Sequence, residues 1–274
     1  MIFDCHFHVI AAADEYPMAA GRSYTPAPAS LALWKATLEP VGVTHGVVVQ
    51  PSFYGTDNRV LLGALKQAPH CLAGVAAVDV HVDDAELHRL TAAGVKGVRM
   101  AHFEAGDPRC GGGFVTFPAF QPLLQRLKDH GLHLQLFTDS RLLPGIADQL
   151  ANADIPIVID HMGRAPAALG PDHDGIRAMV QLLTLGRVWI KLSGVANISD
   201  QAPEFANVRG IHESLIHARP DRLIWGSDWP HTKPSGQKPN ARQLLHLFQN
   251  WTPKDLQPRI LAGNPAKLFG FAES

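Results

Sequence analysis

The fold is first indicated by one stretch near the start of the chain, Ile2-Phe3-Asp4-Cys5-His6-Phe7-His8-Val9. A short apolar run of this kind is typical of a strand that is buried on both faces. Seven similar runs follow: Gly46–Gln50, Leu72–Asp79, Gly97–Met100, Leu132–Thr138, Ile155–His161, Val188–Ser193 and Leu223–Asp228. Their starts lie about 23 to 44 residues apart, which leaves room for a strand, a helix and two loops.

The segments between these runs carry helix signals. Asp83 precedes one periodic segment as an N-cap, and Gly94 follows it as a stop. The predicted helices are Arg59–Leu65, Ala85–Leu90, Gln121–His130, Leu142–Leu150, Ile176–Leu185, Phe205–Ala218 and Ala241–Trp251. Eight alternating units predict an α/β protein with a single TIM-type (β/α)8 barrel domain over residues 1–274. The alternative is a doubly wound open sheet, but its glycine-rich first turn does not follow the first strand.

Composition and charge exclude several classes of partner. Lys plus Arg is 24 and Asp plus Glu is 25, so no basic excess indicates nucleic-acid binding. The three cysteines are far apart, which argues against a disulfide framework and a structural zinc cluster. The first residues lack the pattern of a signal peptide, and no apolar run is long enough for a membrane span. We therefore expect a cytoplasmic protein without a membrane partner, and the sequence leaves a homo-oligomer open.

The first predicted strand carries two histidines that are separated by one residue. Side chains alternate between the faces of a strand, so we expect Asp4, His6 and His8 to face the barrel interior. Their neighbours would pack outward against helices: Phe3, Cys5, Phe7 and Val9. Barrel active sites lie at the C-terminal ends of the strands, where two imidazoles would bind a divalent ion or polarise a carbonyl oxygen. The alternative is a pair of core histidines with satisfied hydrogen bonds.

Two further strands end in residues suited to the same chemistry. His161 ends the sixth predicted strand, and Asp228 ends the eighth. Strands one and eight are neighbours in a closed barrel, so these residues would meet the first pair at one mouth. The alternatives are a loop-capping histidine and an aspartate that fixes a loop. Other polar mouth residues are Gln50, Ser52, Arg99, His102, Thr138, Asp139, Lys191 and Ser193, while His88, His130, His212, His217 and His246 are expected on the surface of helices.

Two long irregular stretches, Ala11–Ser30 and Ala101–Val115, would form loops above the mouth. The second contains Gly111-Gly112-Gly113. These glycines indicate either a mobile lid or a surface loop without function.

The four convergent residues also resemble a known enzyme family. His6, His8, His161 and the Asp228 of Trp225-Gly226-Ser227-Asp228-Trp229-Pro230-His231 are similar to the pattern of the amidohydrolase superfamily, in its amidohydrolase-2 branch. The resemblance is strongest to the 2-pyrone-4,6-dicarboxylate lactonase-like hydrolases of aromatic degradation, and it covers essentially the whole chain. The further motifs that carry it are Gln50–Asn58, Gly94–Arg99, Ile159–Arg164 and Gly263–Phe269.

The resemblance implies a role for each matching residue. Asp228 would be the general base that activates water, and the three histidines would polarise the carbonyl under attack. The expected substrate-binding residues are Ser52, Tyr54, Thr56, Arg99, Arg164 and Asn197. Asn197 or its neighbour stands where this family carries an arginine that binds a second carboxylate. The substrate would therefore be a monocarboxylate lactone, or a sugar lactone held by neutral polar groups.

The residues also bear on the metal content of the site. The fourth predicted strand offers Arg99 and no lysine that could be carbamylated, which argues against two metals. His133 lies at the start of strand five, at the wrong end for a ligand. If a divalent ion is bound, His6, His8, His161 and Asp228 would hold one Zn²⁺. Our first expectation is that no cofactor is required.

The leading hypothesis is a hydrolase that opens a small carboxylated or sugar-derived lactone. Its partner would be that small anionic or sugar lactone. One alternative is a metal-dependent decarboxylase of the amidohydrolase-2 branch. The other, from a different class, is a non-catalytic ligand-binding barrel.

Overall fold

Eight parallel strands form the wall of a barrel. The computed structural model describes residues 1–22, 24–104, 107, 117–232 and 239–272. The strands are β1 (Phe3–Phe7), β2 (His45–Val49), β3 (Leu72–Ala76), β4 (Val95–His102), β5 (His133–Thr138), β6 (Ile157–Ile159), β7 (Val188–Leu192) and β8 (Leu223–Trp225). Each pairs with the next in chain order, and β8 returns to β1 through a bridge between Phe7 and Trp229. The predicted barrel is confirmed, and the open doubly wound sheet is wrong.

Helices cover the outside of the barrel. The α-helices of the described residues are α1 (Leu31–Leu38), α2 (Arg59–Gln67), α3 (Asp84–Ala92), α4 (Phe117–Phe120), α5 (Leu124–Asp129), α6 (Ala147–Asn152), α7 (Asp174–Thr184), α8 (Val195–Ile198), α9 (Arg209–Ala218), α10 (Ala241–Trp251) and α11 (Asn264–Phe269). None of the helices in this part of the chain combines the length and apolar character that a membrane crossing requires. The glycines at 111–113, predicted as a lid or a plain loop, lie outside the described residues.

The helical layer contains one helix that the sequence analysis did not predict, and one expectation about it is wrong. Helix α1 was not predicted, although Ser30 caps it by accepting a hydrogen bond from the backbone N–H of Leu33. His212 on α9 was expected on the surface but is only 2% exposed. Its Nε2 pairs with the Thr252 hydroxyl at 2.8 Å, and the packing of α9 against α10 buries it.

The side chains of β1 do not alternate between the inside and the outside of the barrel as predicted. Phe3 and Cys5 belong to the apolar cluster inside the barrel, whereas Asp4 points outward and accepts a hydrogen bond from Trp34 Nε1 at 3.0 Å. The register of β1 against β2 shifts between Asp4 and Phe7. Phe7 then stacks on Trp34, with 4.1 Å between ring centroids. The expected inward Asp4 and outward Phe3 and Cys5 are therefore wrong, because this irregularity adds a residue to one face.

A carboxylate holds the seam where β1 meets β8. Asp4 Oδ1 accepts a hydrogen bond from the backbone N–H of Ser227 at 2.7 Å, and Oδ2 accepts one from the Ser227 hydroxyl at 2.6 Å. A side chain at Gly226 would place its Cβ 2.8 Å from His6 N, so glycine permits this close approach. The seam thus links the first strand directly to the residues that follow the last strand.

The same seam continues to the mouth through the backbone. Asp228 N donates to His6 O at 2.8 Å, and His8 N donates to Trp229 O at 2.9 Å. These bonds hold His6, at the end of β1, and His8, just after it, beside the segment that follows β8. The fold thus fixes the spacing of the candidate site.

We expect Asp4→Asn to lower the free energy of unfolding by about 2–4 kcal/mol, since its NH₂ group would face buried donors that lose their acceptor. Urea titration measures the change. Asp172→Asn, at an exposed position, is the matched control and should stay within about 0.5 kcal/mol of the wild type. An Asp4→Asn protein as stable as this control would show that the carboxylate does not hold the seam.

Candidate active site

Three imidazole rings converge on one carboxylate oxygen at the barrel mouth. Asp228 Oδ1 lies 3.8 Å from His6 Nε2, 3.9 Å from His8 Nε2 and 3.7 Å from His161 Nε2. The histidines are buried, while the Asp228 side chain keeps 16% of its surface exposed. A water molecule therefore has access to the carboxylate from one direction. The structure brings all four predicted residues together.

Unusual backbone conformations aim two of these side chains. His161 and Asp228 have φ values of 53° and 60°, a left-handed region that non-glycine residues seldom adopt. Such conformations persist where the surrounding structure imposes them, and they cluster at functional sites. Gly194 follows β7 beside the His161 ring, where an added Cβ would lie 2.7 Å from Nδ1. Glycine at this position lets the ring reach the cluster.

The outer nitrogens of the rings have different partners. His8 Nδ1 lies 2.7 Å from Val49 O, and because a carbonyl only accepts, Nδ1 carries the proton. His161 Nδ1 pairs with Ser193 Oγ at 2.9 Å, a hydroxyl that donates or accepts. His6 Nδ1 faces Lys191 Nζ and Asp160 Oδ1, each at 3.3 Å. The neighbours of the three rings thus set different limits on which ring nitrogen carries the proton.

A buried polar layer lies beneath the rings. Asp160 Oδ2 accepts hydrogen bonds from Arg99 Nε and Gln135 Nε2, both at 3.0 Å. Lys191 Nζ donates to Gln135 Oε1 at 2.7 Å and lies 3.4 Å from Asp160 Oδ1. Asp160, Gln135 and Lys191 are fully buried. The sequence analysis did not single out Asp160 or Gln135, and it listed Lys191 only among the mouth residues. The signal that could have found all three is a polar residue inside each of the apolar runs that contain β5, β6 and β7.

Burial sets the pKa values of the cluster. Desolvation raises the pKa of Asp228 to about 7, against the opposing effects of the Asn197 hydrogen bond and of Arg99 and Arg164. Desolvation, followed by the charge of Arg99, lowers the pKa of His8 to about 4. Burial also holds the pKa values of His6 and His161 well below the usual range. At neutral pH the rings are uncharged, while Asp228, whose pKa is about 7, is present in both its protonated and its ionised form.

A cavity of about 170 Å³ opens at the ends of β2 to β5. Ser52, Thr56 and Arg99 line it together with Phe137, as expected of substrate-binding residues. The guanidinium carbon of Arg99 lies 4.4 Å from the Phe137 ring centroid, and that of Arg164 lies 5.4 Å from the same centroid. Two cations thus approach one aromatic ring beside the cluster.

Two of the expected substrate-binding residues have other contacts. The hydroxyl of Tyr54 accepts a hydrogen bond from Ala11 N at 3.1 Å, so Tyr54 supports the loop that follows β1. Asn197 on α8 donates from Nδ2 to Asp228 Oδ2 at 2.8 Å. It therefore contacts the candidate base.

The donor atoms allow a geometric test for metal binding. Among the described residues, His6, His161 and Asp228 bring one ligand atom each within 4.8 Å of one another. His133 lies at the other end of β5 beside Phe269, with 5.5 Å between ring centroids. As predicted, it is remote from the cluster.

Comparison with known proteins identifies the family. The family model for amidohydrolases (Amidohydro_2) matches residues 3–271. The chain belongs to the amidohydrolase family. It is 34% identical over 271 residues to 4-sulfomuconolactone hydrolase of Rhizobium radiobacter, a match that covers 98% of this chain and 89% of the relative. It is 30% identical to 2-pyrone-4,6-dicarboxylate hydrolase of Comamonas testosteroni, over 97% of this chain and 89% of the relative.

A solved amidohydrolase structure supports the same relationship. It is described as a probable 2-pyrone-4,6-dicarboxylic acid hydrolase of Acinetobacter baumannii with citric acid bound. Its identity to this chain is 29% and its TM-score is 0.87, with 98% of this chain and 99% of that chain covered. These relationships confirm the predicted family and the prediction of an enzyme of the lactone hydrolase kind. The decarboxylase alternative has only a fold likeness, at 15% identity and a TM-score of 0.56.

We expect Asn197→Ala to raise the pKa of Asp228 by about 1–2 units, because a hydrogen bond to a charged group stabilises it by about 1.5–3 kcal/mol. A ¹³C NMR titration of the Asp228 carboxyl measures this pKa. Asn207→Ala is the matched control, since Asn207 pairs with Ser199. An unchanged pKa in Asn197→Ala would mean that the amide does not stabilise the carboxylate.

Proposed function

We propose that the protein hydrolyses a small anionic lactone, with Asp228 as the general base. The observation that carries this proposal is the convergence of three neutral imidazoles on a carboxyl group whose pKa is about 7. A base acts best when its pKa lies near the working pH. The adjoining cavity, with Arg99 on its wall, supplies a place for an acidic substrate.

The proposed reaction uses Asp228 twice. Asp228 Oδ1 takes a proton from water while the water oxygen bonds to the lactone carbonyl carbon. The carbonyl oxygen becomes an oxyanion, which N–H donors of the histidine cluster stabilise. When the tetrahedral intermediate collapses, the ring carbon–oxygen bond breaks and the leaving alkoxide takes the proton from Asp228. The product is the open hydroxy acid, and Asp228 is ionised again.

The substrate class follows from the charges around the cavity. Arg99, with Ser52 and Thr56 beside it, suits one carboxylate or sulfonate of the substrate. The Asn197 amide is engaged by Asp228 and is uncharged, so it offers no cation for a second acid group. The cation at Arg99 therefore favours a lactone with an acid group over a sugar lactone held by neutral groups alone. Action in aromatic degradation, a cytoplasmic location and a homo-oligomer remain predictions.

The histidine cluster fits a divalent ion poorly. A metal ligand needs a nitrogen without a proton, and His8 Nε2 meets this condition because Nδ1 donates to Val49 O. Lys191 Nζ contacts His6 Nδ1 at 3.3 Å, and since an amine N–H donates, this contact favours a proton on His6 Nε2. His6 belongs to the group of described residues with suitable ligand spacing. The proposed reaction therefore uses no metal.

We expect Asp228→Asn to abolish turnover while substrate binding stays nearly unchanged, because the amide keeps the shape of the side chain but does not accept a proton from water. A panel of carboxylated, sulfonated and sugar lactones, assayed with and without chelator, identifies the substrate. Isothermal titration calorimetry with the preferred lactone measures binding.

Asp172→Asn, on the surface, is the control and should retain wild-type turnover. Wild-type turnover by Asp228→Asn would remove Asp228 as the base. Loss of activity on chelation, with stoichiometric metal in elemental analysis, would favour a metal-dependent reaction. Binding of lactones without turnover by the wild type would favour the non-catalytic barrel.

A further inference from the structure

A lysine lies inside the barrel, directly beneath the histidine cluster. Lys191 on β7 has no exposed surface, and lysine is seldom fully buried unless it is paired. Its Nζ lies 2.7 Å from Gln135 Oε1, 3.3 Å from His6 Nδ1 and 3.4 Å from Asp160 Oδ1. The hydrogens of its ammonium group are therefore directed at three acceptors in fixed positions.

His6 Nδ1 has two neighbours that would impose opposite proton positions. A donation from Lys191 Nζ requires a bare Nδ1 and places the ring proton on Nε2. A donation from Nδ1 to Asp160 Oδ1 would leave Nε2 bare instead. The contact between His6 Nδ1 and Asp160 Oδ1 is 3.3 Å long. However, Asp160 Oδ1 is not aligned to accept a hydrogen bond from any residue in the described part of the chain. The geometry therefore favours donation by Lys191.

The inner nitrogen of His6 has no such partner. Its Nε2 is buried and makes no hydrogen bond to any residue in the described part of the chain. It lies 3.8 Å from Asp228 Oδ1, which is too long for a hydrogen bond. A buried N–H without an acceptor is costly, so this atom is suited to a substrate oxygen. His8 differs, because its proton is on Nδ1 and its Nε2 only accepts.

We infer that Lys191 is a positioning residue that fixes the proton of His6 on Nε2 and so makes His6 the hydrogen-bond donor to the carbonyl oxygen of the lactone. This inference rests on the proposed lactone hydrolysis. Lys191 does not touch the substrate; it acts through the ring. His6 then donates to the oxyanion, while the bare Nε2 of His8 accepts from water or from protonated Asp228. His6 and His8, two residues apart at the end of β1, thus perform opposite tasks.

The tautomer of His6 tests the inference in the wild-type protein without substrate. Labelling with ¹⁵N-histidine and two-dimensional NMR distinguishes protonated from unprotonated ring nitrogens, and His6→Asn assigns the signals by their loss. We expect a protonated Nε2 and an unprotonated Nδ1 at neutral pH. The reverse pattern would overturn the inference and would leave the proposed hydrolysis standing. A wild type without lactone turnover would instead overturn the proposed function.

Two variants distinguish the effects of Lys191 and Asp160, the two neighbours of His6 Nδ1. In Lys191→Met the remaining partner is Asp160, so we expect the ring proton to move to Nδ1. The value of kcat should fall by about 10²–10³-fold with KM nearly unchanged, as for loss of an oxyanion donor. In Asp160→Asn, the matched change on the other side of the ring, the proton should stay on Nε2. A tautomer that changes in Asp160→Asn and persists in Lys191→Met would assign the role to Asp160.

Discussion

The arrangement of the site depends on the seam between the first and the last strand of the barrel. Few backbone hydrogen bonds cross it, and the carboxylate of Asp4 adds contacts to Ser227 and to Trp34 on the outer helix. The seam places Asp228 beside His6 through the bond from Asp228 N to His6 O. The proposed base and a proposed electrophilic ring, more than two hundred residues apart in sequence, thus become neighbours because the barrel closes.

Closure also determines the electrostatics of the mouth. Removal from water penalises the charged form of every ionisable group, so burial raises the pKa of Asp228 and lowers the pKa values of the imidazoles. The usual order of the pKa values is therefore reversed, with that of Asp228 above those of the histidines. The positive charges of Lys191 and Arg99 face a single buried carboxylate, Asp160, in the layer beneath. Arg99 in this layer disfavours a protonated His8, whereas burial is the main cause of the low pKa values of His6 and His161. The excess of positive charge in the layer favours an anionic substrate.

The sequence predicted the parts of the molecule that repeat or that end a strand. Eight apolar runs indicated the barrel, and His6, His8, His161 and Asp228 were predicted because each lies at the end of such a run. Outward Asp4 was missed, because a register shift in β1 leaves no trace in an alternating pattern. The buried layer was missed because pairing between Asp160, Gln135 and Lys191 depends on their lying at one height in the barrel. Asn197 was assigned to substrate because only the structure shows its bond to Asp228.

The central claim is that an enclosed carboxyl group acts as a base at neutral pH. The pH dependence of kcat/KM for the preferred lactone tests it most directly, because this quantity reports the ionisation of the free enzyme. Asp228 is active when deprotonated, so the account predicts that kcat/KM reaches a plateau about one pH unit above an apparent pKa of about 7 and falls tenfold per pH unit well below it. Activity that is retained down to about pH 4, the range of an ordinary aspartate, would contradict it.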